Sequence, residues 1–165
     1  MKNLDRSPPH EPIKVRGFFR VQIENEDGTL HGDSGWVGNQ VTNLGFQNYL
    51  CALLGNTTGS AQVLKVALGT GTAPNASHTT LPGEVSSSTE RKSPDGVAVS
   101  GSKTVQFSGT FGSSDSFVTG AVTLQNIGLF KSATSNDTLF AGNTYTTSSC
   151  NTNQNVNYSY EISFS

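Results

Sequence analysis

Gly32-Asp33-Ser34-Gly35 is the segment whose residue types come nearest to catalysis. A serine between small residues can act as a nucleophile if a histidine takes its proton and a carboxylate orients that histidine. Only His10 and His31 precede Ser34, which leaves too little chain ahead of it for the histidine-bearing half of such a site. The same four residues make a turn equally well, because Asp and Ser bond to nearby backbone and Gly tolerates unusual dihedrals. The turn is the expectation here.

Other chemistry-bearing groups are sparse. Gly69-Thr70-Gly71 follows an apolar run, as a dinucleotide-binding turn would, but Pro74 follows where a helix should start and no third glycine stands at the required spacing. His10, His31 and His78 are isolated from one another and from Cys51 and Cys150, without metal-ligand spacing. Asp27, Asp33, Glu84 and Glu90 are the carboxylates that could meet as a pair or a calcium site, yet their spacing favours neither over scattered surface charge. The expectation is therefore a protein without catalytic residues, cofactor or metal.

The composition points the same way. Charged residues make up 13 % of the 165-residue chain, which carries a formal net charge of −2. Ten scattered Lys and Arg cannot build the basic surface that phosphate contacts require, so no nucleic-acid partner is expected. No apolar run reaches the roughly 20 residues of a membrane helix, and the N-terminus lacks the apolar stretch of a signal peptide. The expected setting is the cytoplasm in which the chain is made. The Asn-x-Ser/Thr triplets at Asn56, Asn75, Asn136 and Asn157 are then chance in an Asn- and Thr-rich chain. In that setting Cys51, placed in a helix, and Cys150, placed in a polar turn, are expected as free thiols, with one disulfide as the alternative.

These residues must be positioned by strands. Nine Phe, four Tyr and abundant Gly, Ser, Thr and Asn are the balance of an all-β domain with short turns. Val15–Ile23 alternates, and Glu26-Asp27-Gly28 supplies a hairpin turn. Further strands are expected from about Thr29, over Trp36–Val41, over Val63–Leu68, around Val97 and Val99, which alternate, and over Phe117–Leu129, with a break at Gly120 as the alternative. The last strand has the cleanest pattern, with Val156, Tyr158, Tyr160, Ile162 and Phe164 on one face and Asn157, Ser159, Glu161 and Ser163 on the other. One helix is expected after Thr42 or Asn43 as N-cap, with Phe46, Leu50, Leu53 and Leu54 on its buried face and Gly55 ending it. Residues 70–95 read as a long loop anchored by Leu81 and Val85. The sum is an antiparallel β-sandwich of jelly-roll type with one short α-helix over residues 14–165. Residues 1–13 form a separate extended arm, or a tail, whose contact residues are Leu4, Pro8, Pro9, Pro12 and Ile13.

The order of several motifs resembles a known group. Thr42-Asn43-Leu44-Gly45 opens the helix, and Leu68-Gly69-Thr70-Gly71-Thr72 ends a strand. Leu81-Pro82-Gly83-Glu84 comes next, with Arg91 downstream, followed by Asn126-Ile127-Gly128-Leu129-Phe130, Leu139-Phe140-Ala141-Gly142 and the alternating final strand. Over residues 35–165 this order resembles small virion structural proteins of tailed bacteriophages, the tail-fibre, head-fibre and capsid-decorating group. The resemblance implies a β-sandwich subunit without catalytic residues that self-associates, as a homotrimer first of all, and docks on other virion proteins. The alternative is a carbohydrate-binding module, for which Trp36 and Tyr145 are the candidate stacking residues, Tyr158 being assigned to the core.

Overall fold

A computed structural model describes residues 14–51, 62–85, 91–100, 103–131 and 138–164. The arm of residues 1–13, the helix positions Leu53, Leu54 and Gly55, the loop residues 86–90 and the turn 132–137 lie outside the described residues. So do His10, Asn56 and Asn136.

Among the described residues ten strands form two antiparallel sheets, and the β-sandwich expected from the sequence is the observed architecture. β1 (Val15–Glu24), β2 (Leu30–Asp33), β3 (Val37–Gly38), β6 (Gly96–Ser100), β7 (Thr104–Phe111) and β10 (Asn155–Phe164) make the larger sheet, in the order β2-β1-β10-β7-β6 with β3 also paired to β1. β4 (Gln40–Val41), β9 (Ala141–Cys150), β8 (Val122–Phe130) and β5 (Lys65–Gly69) make the smaller one, in that order. The first and last long strands pair along their whole length, from Val15 opposite Phe164 to Glu24 opposite Asn155.

Alternation explains why these segments are strands. On β10 Val156, Tyr158, Tyr160 and Ile162 are buried, while the residues between them face outward. Burying each such side chain contributes roughly 1.5–3 kcal/mol, enough to fix the register against a one-residue slip. Phe19, Val21 and Ile23 of β1 meet them, and Phe19 stacks on Tyr160 at 5.5 Å between ring centroids. The turn joining β1 to β2 follows from its residues: Gly28 takes φ of +81°, and the Asp27 carboxylate accepts from the Thr29 amide at 2.9 Å.

The smaller sheet is buried on both faces. Val66, Leu68, Ile127 and Leu129 point into the core between the sheets. Ala67 and Phe130 point the other way, into a second cluster closed by Leu81 and Leu139. The 70–85 segment thus forms a partial third layer, and Leu81 is the anchor expected from the sequence, with Val85 packed half-buried on the main core.

Four expectations are corrected. The helix is one α-helical turn (Asn43–Gly45) running into a π-helix (Phe46–Cys51). Thr42 does cap it, its hydroxyl accepting from the Gly45 amide at 2.9 Å. The wider π-helical turn rotates the buried face, so Tyr49 is buried, Leu50 half-buried and Phe46 exposed. The expected strand Trp36–Val41 is two short strands, because the chain crosses between sheets there: β3 pairs with β1 and β4 with β9. The strand expected from Phe117 starts at Val122, although Phe117 and Val118 are buried ahead of it. Cys150 is the last residue of β9 and fully buried, not a member of a polar turn.

Candidate functional site

Among the described residues, most of the chemistry-bearing groups of the sequence have a structural occupation. The Ser34 hydroxyl accepts from the Val21 amide at 2.9 Å and donates to the Gly35 carbonyl at 2.7 Å. The Asp33 carboxylate pairs with Arg20 and also accepts from the Gly35 amide. Hydrogen bonding to Arg20 holds the Asp33 carboxyl at about 2, below its ordinary value. Gly32-Asp33-Ser34-Gly35 is therefore a bonded turn at the end of β2, with Gly35 at φ +63°. Asp27 sits in its own turn and Glu84 pairs with Arg91, so Asp27, Asp33 and Glu84 are engaged separately, while Glu90 lies outside the described residues. Among the described residues no three His, Cys, Asp or Glu side chains converge as a metal site, and no helix is long and apolar enough to cross a membrane. His31 is exposed, and His78 accepts from the Asn75 amide through Nδ1 at 3.1 Å.

The motifs in the ordered series meet around the smaller sheet. The buried Asn126 side chain donates to the carbonyls of Gly71, Thr72 and Pro82 at 3.1, 3.1 and 2.8 Å. Gly69 is required beside it, since a Cβ there would collide with the Asn126 Oδ1. Arg91 is buried with its guanidinium bonded to Glu84 at 2.6 and 3.0 Å and lying over the Phe130 ring. Thr42 donates back to the Leu139 carbonyl. These residues staple the long loop to the sheet. Their chemistry is spent on the fold.

Two surfaces remain. The first is the outer face of the larger sheet, where hydroxyl and amide side chains are bonded across strands. Gln106 donates to Ser159 at 2.9 Å and to Glu161 at 3.0 Å. Thr110 donates to Asn157 at 2.7 Å, and Asn157 donates to Glu24 at 2.9 Å. Phe18 stands on the same face 39 % exposed, and Trp36, just before β3, is 51 % exposed. The polar half of the β10 alternation was the sequence signal for this face.

The second surface is an apolar groove of about 450 Å³ at the β6 end of the sandwich, bordered by Tyr49, Leu50, Leu64, Val97, Phe107 and Phe164. Leu64 and Val97 on its rim are 49 % and 60 % exposed. Sequence alternation placed Val97 in a strand but gave no sign that the strand would be an edge.

Trp36 is thus presented to solvent, as stacking on a sugar would require. Tyr145 is not: it is buried in the core, edge-on to Phe19 at 6.0 Å, because its position on β9 faces the larger sheet. Tyr158 is in the core, as expected. Cys150 is a free thiol whose ionisation burial pushes up to about 11. Nothing is described of the arm residues Leu4, Pro8, Pro9, Pro12 and Ile13.

No family model, curated protein or solved structure matches the chain.

Proposed function

We propose that the protein is a non-enzymatic structural subunit of a bacteriophage virion, which self-associates and docks on capsid or tail proteins. The observation that carries this reading is the outer face of the larger sheet. Its Ser, Thr, Gln and Asn side chains are already fixed in a cross-strand ladder, so packing a further surface on it immobilises few rotamers, and its charged groups Glu24, Glu161, Arg20 and Asp33 already carry hydrogen bonds within the face. A ladder of this kind suits repeated contacts between identical copies. The order of the loop-stapling motifs, which resembles small virion proteins, supports the same assignment. Quantitative mass spectrometry of purified phage particles tests it: many copies per particle are expected, and absence from particles that retain their other structural proteins would overturn it.

A second reading rests on Trp36. Its exposed ring beside the polar sheet face suits stacking on a sugar, making the subunit a glycan-binding fibre domain. A glycan array with the wild type and Trp36→Ala separates the readings, because only the glycan-binding domain gives hits that the substitution removes.

A further inference from the structure

The bonds of Gly32-Asp33-Ser34-Gly35 shape the backbone just ahead of Trp36. β2 and β3 run as one interrupted strand along β1, with Gln22 opposite Asp33 and Phe19 opposite Val37. Three steps along β1 are therefore matched by four along its partner, the one extra residue of a β-bulge. Gly35, at φ +63°, supplies the left-handed conformation that one class of bulge requires. Ser34 closes the ladder across it: its amide donates to the Val21 carbonyl and its hydroxyl accepts from the Val21 amide, both at 2.9 Å. Bulges re-aim side chains, and the residue that follows this one is Trp36.

Val37 packs on the core opposite Phe19, so Gly38 and Trp36 fall on the outer side of the sheet. Phe18 is the cross-strand partner of Gly38 on that side. Trp36 thus stands diagonally across from Phe18, about 7–8 Å apart in a regular pair of strands. A Cβ built on Gly38 or on Gly35 would meet nothing within 4 Å. The two exposed rings therefore border an open notch whose floor is the Gly38 backbone.

The rim of the notch is polar. Arg20, the next outward residue of β1, is held by a fork onto Asp33 that leaves part of its N–H set unused. Glu161 lies opposite Phe18 on β10, its carboxylate accepting from Gln106 at 3.0 Å. A hydroxyl that meets this rim finds both a donor and an acceptor. Arg16 and Arg20 flank Phe18 along β1, so two positive charges stand against Asp33 and Glu161 and none is left over. Flat apolar rings, a shallow gap and a balanced polar rim match a ligand with an apolar ring face, a hydroxyl edge and no charge.

We propose that Phe18, Gly38 and Trp36 form a binding site for a neutral pyranose. The sugar ring sits in the notch against both aromatic side chains, its hydroxyls bond to Arg20 and Glu161, and the bulge at Gly32–Gly35 positions Trp36. The inference rests on the glycan-binding reading of Trp36 and adds to it the second ring, the notch and the charge class.

Trp36 is the one tryptophan of the chain, so intrinsic fluorescence reports on this site alone. The test titrates the full chain to about 100 mM with the methyl glycosides of glucose, galactose, mannose and N-acetylglucosamine, and with methyl glucuronide as the charged counterpart. A saturable change is expected with at least one neutral glycoside. Phe18→Ala should weaken it about fivefold, and Gly38→Val, which fills the notch, by at least as much. Circular dichroism of both variants checks that the sheet is intact. Saturation at wild-type strength in both folded variants would overturn the two-ring site and leave Trp36 stacking alone. A response to methyl glucuronide only would overturn the neutral class. Silence with every sugar would overturn this site and the glycan-binding reading together.

Discussion

The guanidinium carbon of Arg91 lies 3.5 Å from the centroid of the Phe130 ring, held there by the Glu84 carboxylate. This contact ties the end of the long loop to the outer face of β8. The Arg91 side chain is 1 % exposed and that of Glu84 is 20 % exposed. Truncating Arg91 to Ala strands a half-buried carboxylate and uncovers the ring. The expected loss is about 2–3 kcal/mol, below the roughly 3–5 kcal/mol of a fully buried pair because Glu84 keeps some water. Urea denaturation measures it, and Arg91→Lys should recover only part of the loss, because an ammonium cannot engage the carboxylate as a fork.

Asn126 makes the sharper prediction. Its amide nitrogen serves three loop carbonyls, a donor's task that no carboxylate can perform. Asn126→Asp, although the same size, should destabilise at neutral pH by more than Asn126→Ala, which is expected to cost about 2–3 kcal/mol. Hydrogen exchange should show the loss first at residues 70–85.

Asp33 sets an acid dependence. Its folded value of about 2 lies below the ordinary 3.8, the Arg20 hydrogen bond being the largest cause. A depressed folded value means stabilisation present above the unfolded value and lost as pH falls from about 4 towards 2. The pair is largely open to solvent, so the amount is about 1 kcal/mol or less. Denaturation midpoints for the wild type and Asp33→Asn, compared from neutral pH downward, should converge over that interval.

Cys150 should be inert in the folded state. It is fully buried, and burial raises its ionisation to about 11, so little thiolate forms at neutral pH. In a Cys51→Ser background a thiol reagent should label it only as fast as the chain unfolds. Prompt labelling without denaturant would contradict the burial.

The sequence made the alternating strands legible because their pattern has a physical cause that acts locally. In β10 each inward side chain is apolar and each outward one polar, so the sheet, its solvent face and Tyr158 could be read directly. What failed was information carried by partners. Nothing in Trp36–Val41 tells that the chain leaves β1 for β9 at Asn39. The apolar spacing of Phe46 and Leu50 fits an α-helix, and only the π-helical winding brings Tyr49 inward instead. Cys150 looked solvated among Ser148, Ser149 and Asn151, yet its own alternation on β9 turns it into the core. The stapling roles of Arg91 and Asn126 were not legible because their partners are 7 and 44 or more residues away. The groove was illegible for a related reason: a strand at a sheet edge has the same sequence pattern as one inside it.

The central claim is that this sandwich works by associating with copies of itself. Light scattering after gel filtration of the full-length chain tests it most directly. A stable assembly is predicted, with a trimer near 52 kDa, three times the 17.4 kDa chain, as the first expectation. A single species at 17.4 kDa across micromolar concentrations would contradict it.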